Sequence, residues 1–170
     1  MFIALGVLFP YFTAHAFGVP GTIFLPMHLP VLLCGLICGK KYGLICGVFA
    51  PVLSSFITGM PVAYPMLPIM VIELMIYGLV GGFLLHTPFK FKGKTIKLNI
   101  YIALPLAMVA GRIGYAIMFA ILNSITPGIR ALTVYMAFVT GIPGILTQLL
   151  VIPIIVKRFH KTQGAISHLQ

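Results

Sequence analysis

One carboxylate stands alone in this chain. Glu73 is the single acidic residue among 170, set against eleven lysines and arginines, and it lies inside an apolar run from Met66 to Leu85. An ionisable group at membrane depth costs a few kcal/mol or more, so it is kept with a partner and a use. The partner on offer is Arg112, also inside a long apolar run. Tyr77 follows Glu73 by one helical turn on the same face, and Arg112 and Tyr115 share a face in the same way. His28 (between Pro26 and Pro30), Tyr64, Asn123 and Gln148 complete a set of polar side chains that a helical bundle can bring to one place. His15 lies near the same end. Apolar and aromatic walls with a few placed polar groups make a small-molecule site. Plainer roles stand beside this one. Glu73 and Arg112 can be an ion pair that only fixes packing. Tyr77 and Tyr115 can be core residues with satisfied hydroxyls. His28 can bond a loop carbonyl, and Gln148 can join helices.

Catalysis is poorly supported by these residue types. One carboxylate makes no acid/base pair. There is no His-Glu-x-x-His zinc motif and no Asp for a Ser/His/Asp triad. Gly39-Lys40-Lys41 lacks the upstream glycine and the following Ser/Thr of a phosphate loop. Cys34, Cys38 and Cys46 fall in apolar segments. Cys34 and Cys38 share a helix face, but no His or further Cys completes a metal set, so they are expected to pack. The expectation is a binding protein without enzyme activity, metal or cofactor of its own.

The elements that must position these residues follow from composition. The chain is 61% hydrophobic and 7% charged, with a mean hydropathy of +1.16. A soluble domain carries about a quarter charged residues. The chain therefore reads as an all-α integral membrane protein, a single domain over 1–170. Each span needs about 20 apolar residues. Six fit: about 1–17, 27–39, 42–58, 66–85, 98–123 and 132–156. The second and third are short for a full crossing, with Lys40-Lys41 as their turn. The first starts without a charged leader region, which makes a cleaved signal peptide a weak reading; it is expected to lack its opening turn.

Net charge of +10 does not indicate nucleic acid here, because the cations cluster between apolar runs. Lys40 and Lys41, then Lys90, Lys92, Lys94 and Lys97, then Lys157, Arg158 and Lys161 all fall on one side of a six-span arrangement. Only Arg112 and Arg130 lie elsewhere. The positive-inside rule puts that side, and both termini, in the cytoplasm. The three outer connections begin at Gly18, Gly59 and Ser124. Each carries Pro and Gly, which favours shaped turns that cap an outward pocket. Gly35, Gly39, Gly43 and Gly47 recur every four residues, and Gly78 with Gly82 and Gly111 with Gly114 are similar. Small residues let membrane helices approach closely; the alternative is a smooth face for another membrane protein.

The run Leu25-Pro26-Met27-His28-Leu29-Pro30, then Gly39-Lys40-Lys41-Tyr42-Gly43, Ser54-Ser55, Thr58-Gly59-Met60-Pro61, Glu73-Leu74, Tyr77-Gly78 and Gly111-Arg112, resembles the substrate-binding membrane subunits (S components) of energy-coupling factor (ECF) vitamin transporters. The resemblance covers nearly the whole chain. It is similar to the branch assigned to cobalamin precursors such as dimethylbenzimidazole or its riboside, with pantothenate- and pyridoxine-type subunits as close competitors. It implies six membrane helices and a pocket closed by the first and third outer loops. It also implies partners, one membrane coupling protein and two cytoplasmic ATPases that use the ATP. Transport in the family is thought to involve toppling of the S component. One feature departs from the family. Its usual Ala-x-x-x-Ala coupling motif on the first helix is not met, since Leu8 follows Ala4 by four. Either the start is truncated or the docking surface differs. A proton-coupled carrier using Glu73 and a scaffold without ligand are the rivals, although no inverted repeat supports the carrier.

Overall fold

The computed structural model describes residues 1–17, 26–91, 94–96, 98–126 and 141–167. Six helices occupy them. They are α1 (Phe2–Phe17), α2 (His28–Cys38), α3 (Lys40–Thr58), α4 (Met66–His86), α5 (Ile100–Ile125) and α6 (Ile142–Ser167). Four are long and apolar enough to cross a membrane: α3, α4, α5 and α6 over Ile142–Phe159. At 1.5 Å per residue the 11 residues of α2 reach only about half of a hydrocarbon core. The expected start of the sixth span near 132 and the first outer connection lie outside the described residues, as do Arg130 and the side chain of His15.

The last helix continues to Ser167, past its expected end at 156, and two further features differ from the sequence reading. The Lys pair is not a turn between α2 and α3 but the first turn of α3. Gly39 alone breaks the helix. Its φ of 93° is open to glycine and costly for other residues, and its N–H donates to Gly35 O at 3.0 Å, closing α2. The second difference is local and leaves the all-α class standing. A short antiparallel hairpin, β1 (Phe89–Phe91) with β2 (Lys94–Ile96), joins α4 to α5 and pairs Phe89 with Ile96 and Lys90 with Thr95. The alternation Phe-Lys-Phe and Lys-Thr-Ile has the period of two that strands follow.

Helix α4 is apolar all round, the mark of a helix at the centre of a membrane bundle. It packs against α2, α3 and α5. Helix α1 lies on α2 and α3, and α6 lies on α2 and α5. The seam between α2, α3 and α4 is built from backbone. A Cβ on Gly78 would run into the Gly43 carbonyl, one on Gly43 into the Gly78 carbonyl, and one on Gly47 into the Leu74 carbonyl. In lipid, where apolar burial does not drive helices together, such close approach supplies the attraction. These glycines are therefore used inside the bundle rather than on a face offered to a partner. Cys34 and Cys46 are buried, Cys38 is exposed, and all three are free.

Contacts at the two ends fix which connections lie together. At one end His86 Nε2 meets Leu36 O at 2.9 Å, Lys40 Nζ sits 5.2 Å from the Phe83 ring centroid, and Lys157 Nζ donates to Tyr101 OH at 2.9 Å. The Lys40-Lys41 turn, the hairpin and the latter part of α6 thus share one end. At the other, the connection Gly59–Pro65 is tied to α3 by hydroxyls. Ser54 Oγ donates to Met60 O and Ser55 Oγ to Pro61 O, both at 2.7 Å. Met60 N–H donates to Thr58 Oγ1 at 3.2 Å. This outer connection is shaped, as its Pro and Gly content suggested.

Candidate functional site

Three helices converge on Glu73. Helix α4 places Glu73 and Tyr77 one turn apart on one face. Helix α2 begins with His28 against that face, and α5 brings Arg112 from the other side. All are withdrawn from solvent, with Glu73 2%, His28 1%, Tyr77 1% and Arg112 7% exposed. The carboxylate is held on both oxygens. Tyr77 OH donates to Oε1 at 2.9 Å and Arg112 Nη1 lies 3.2 Å from the same oxygen. His28 Nε2 lies 3.5 Å from Oε2, an ion-pair distance rather than a hydrogen bond. The His28 and Tyr77 rings stand 5.3 Å apart at 60°.

The tyrosine is aimed by a glycine. A Cβ on Gly111 would collide with ring carbons of Tyr77, so the ring lies directly on the α5 backbone beside Arg112. Gly114 receives Ile76 in the same way. The two glycines let α5 approach α4 closely enough for the guanidinium to meet the carboxylate. Removing one member of such a buried pair costs about 3–5 kcal/mol, because the other charge is left among apolar groups.

The remaining residues singled out in the sequence divide. Tyr115 is buried next to the cluster on α5, and Gln148 is buried on α6. Tyr64 is half exposed and bonds Thr126 Oγ1 at 2.7 Å, joining the α3–α4 connection to the end of α5. Asn123 is exposed on α5 and stands apart from the cluster. Among the described residues, Tyr115 OH and His28 Nδ1 have no hydrogen-bond partner. A buried polar group in that state costs about 1–3 kcal/mol, so both are groups through which a guest can be held.

Between α5 and α6 runs a widely open cleft of about 490 Å³, walled by Met108, Ile113, Ile145 and Leu149, into which only apolar atoms, including those of Arg112, face. The sequence reading did not find this cleft, since it depends on how α6 lies against α5. It also missed the seat that Gly111 makes for Tyr77 and the Ser54, Ser55 and Thr58 hydroxyls. The hydroxyls had a signal in the Ser-Ser-x-x-Thr run before Gly59.

A paired carboxylate with no second acid beside it is suited to orienting a molecule rather than transforming it. The chain matches the family model described as ECF transporter, substrate-specific component, over residues 1–156. No curated protein and no solved structure matches it.

Proposed function

Because the chain belongs to the substrate-specific components of ECF transporters, we propose that the cluster of His28, Glu73, Tyr77 and Arg112, with Tyr115 and Gln148, is its substrate-binding site. Members of this family are membrane transporter subunits and not enzymes. They bind a small molecule and associate with a membrane coupling subunit and ATPases. The finer reading is ours: a vitamin or vitamin precursor is captured from outside and delivered through the coupling module. Two cytoplasmic ATPases spend the ATP, and this subunit needs no cofactor. The basic end of the bundle then faces the cytoplasm with both termini, in the bacterial cytoplasmic membrane.

One observation carries the proposal. The only acidic side chain of the chain is buried with a guanidinium, an imidazole and a phenol around it. The ion pair is internally neutral, which favours a neutral heteroaromatic guest that stacks and hydrogen-bonds over an anionic one. That preference agrees with the dimethylbenzimidazole-like branch and weighs against a pantothenate-like carboxylate.

Mass spectrometry of the small molecule that co-purifies with the detergent-solubilised protein tests this. A stoichiometric neutral heterocycle, lost in Glu73→Gln, is expected. Unchanged affinity in that variant removes Glu73 from the site. Uptake by this chain alone that collapses with an uncoupler would replace the proposal by a proton-coupled carrier.

A further inference from the structure

The charge not used by the site lies at one end of the bundle. Nine of the eleven basic residues fall in the first turn of α3, the α4–α5 connection and the latter part of α6, and the chain has only one acidic side chain to set against them. That one, Glu73, is already engaged in the buried cluster. No acidic side chain of this chain is left to neutralise the basic end. The clusters are gathered there by the His86–Leu36 bond, by Lys40 over Phe83 and by Lys157 on Tyr101. Lys40, Lys41 and Lys157 are exposed.

Aromatic residues accompany the cations. Tyr42 is 64% exposed in the first turn of α3 and Tyr101 54% exposed in the first turn of α5. Exposed tyrosines at helix ends sit at headgroup level in a membrane.

We propose that this end is a docking surface for anionic phospholipid headgroups, with the exposed Lys40, Lys41 and Lys157 facing the phosphodiester and Tyr42 and Tyr101 marking the interfacial depth. Charge complementarity is one argument. Position is the other: the cations ring the ends of membrane-spanning helices, where headgroups are always present. This inference is independent of the substrate reading.

The chain has no Trp, so Tyr42→Trp gives a single fluorophore beside Lys41. The variant is reconstituted in phosphatidylcholine vesicles that carry equal minor fractions of either brominated phosphatidylglycerol or brominated phosphatidylcholine. A surface lysine is worth about fivefold in partition toward anionic lipid. Quenching by the anionic lipid is expected to exceed that by phosphatidylcholine by about threefold or more. The preference should fade at high salt, disappear in Lys40→Gln/Lys41→Gln/Lys157→Gln, and persist in the matching Lys→Arg variant, which checks that folding is intact. Equal quenching by the two lipids would overturn the proposal, as would a preference retained in the Gln variant. A preference seen only with the coupling module present would reassign the surface to a protein partner.

Discussion

Glu73 and Arg112 can be tested as a unit by a double-mutant cycle. At 3.2 Å and an effective dielectric of about 20, two unit charges attract by about 5 kcal/mol. Part of this is offset by desolvation, which is why a single truncation and a double one should differ. In Glu73→Gln the guanidinium loses the only carboxylate side chain in the chain, and Arg112→Met leaves that carboxylate among apolar side chains. Each is expected to lose about 3–5 kcal/mol, a large share of the about 5–15 kcal/mol that holds a domain. The double variant removes both charges and keeps much of the volume. It should be more stable than the sum of the single losses predicts, by at least about 2 kcal/mol. Reversible unfolding of the reconstituted protein measures all four corners. Where a single variant does not fold, recovery of folding in the double variant reports the same coupling. Additivity to within about 0.5 kcal/mol would refute the pairing as an energetic unit.

The glycine seam separates two positions three residues apart. Gly78→Ala drives a methyl into the Gly43 backbone and should cost about 1–3 kcal/mol or more, whereas Gly81→Ala meets Ala107 Cβ at an ordinary 3.6 Å and should be neutral or stabilising; equal thermal shifts would count against the seam. Tyr77→Phe removes a charge-assisted bond worth about 1.5–3 kcal/mol, so ligand affinity should fall about tenfold or more, and Gly111→Ala should give a similar loss by displacing the ring; a Gly111→Ala protein that binds as well as the parent would separate the two residues. Tyr64→Phe should leave the fold intact while hydrogen exchange in the 59–65 connection quickens, because its bond to Thr126 ties that connection to α5. Asn123→Ala should change affinity less than twofold given its exposure; a larger loss would return it to the site.

Much of this was legible because it rests on one-dimensional signals. The apolar runs set the first five helices to within about two residues, whereas the sixth continues to Ser167, past its expected end at 156. A lone acid and a lone arginine inside such runs had few partners to choose from, and the four-residue spacing placed Tyr77 on the carboxylate. His28 joined the cluster because α2 starts where the Pro-flanked run begins. Other features depend on distances between elements. Whether Gly43 meets Gly78, whether Gly111 seats a tyrosine ring, and how far α6 stands from α5 are matters of helix crossing, and no single helix encodes them. Asn123 illustrates the limit. It has a polar side chain in an apolar run, but it is exposed, and only the packing of α5 decides that.

The charge layout gives the architecture a common logic. In the interior of the spans, away from their ends, the chain carries one carboxylate and one guanidinium, and they meet. That pairing lets a polar site exist at membrane depth without a net charge to desolvate. Almost every other cation falls in the first turn of α3, the α4–α5 connection or the latter part of α6, the charge asymmetry from which the positive-inside rule reads an orientation. The two tasks use separate residues. Substitutions in the hairpin lysines act on topology and lipid contact without touching the carboxylate, whereas those at Glu73, Tyr77 or Gly111 act on the site without altering the charge asymmetry of the connections. A site neutral in itself is also one that an anionic substrate would have to open by displacing Glu73 from Arg112, and a neutral one would not. Under the proposed function the ion pair is therefore a selectivity element as well as a packing one.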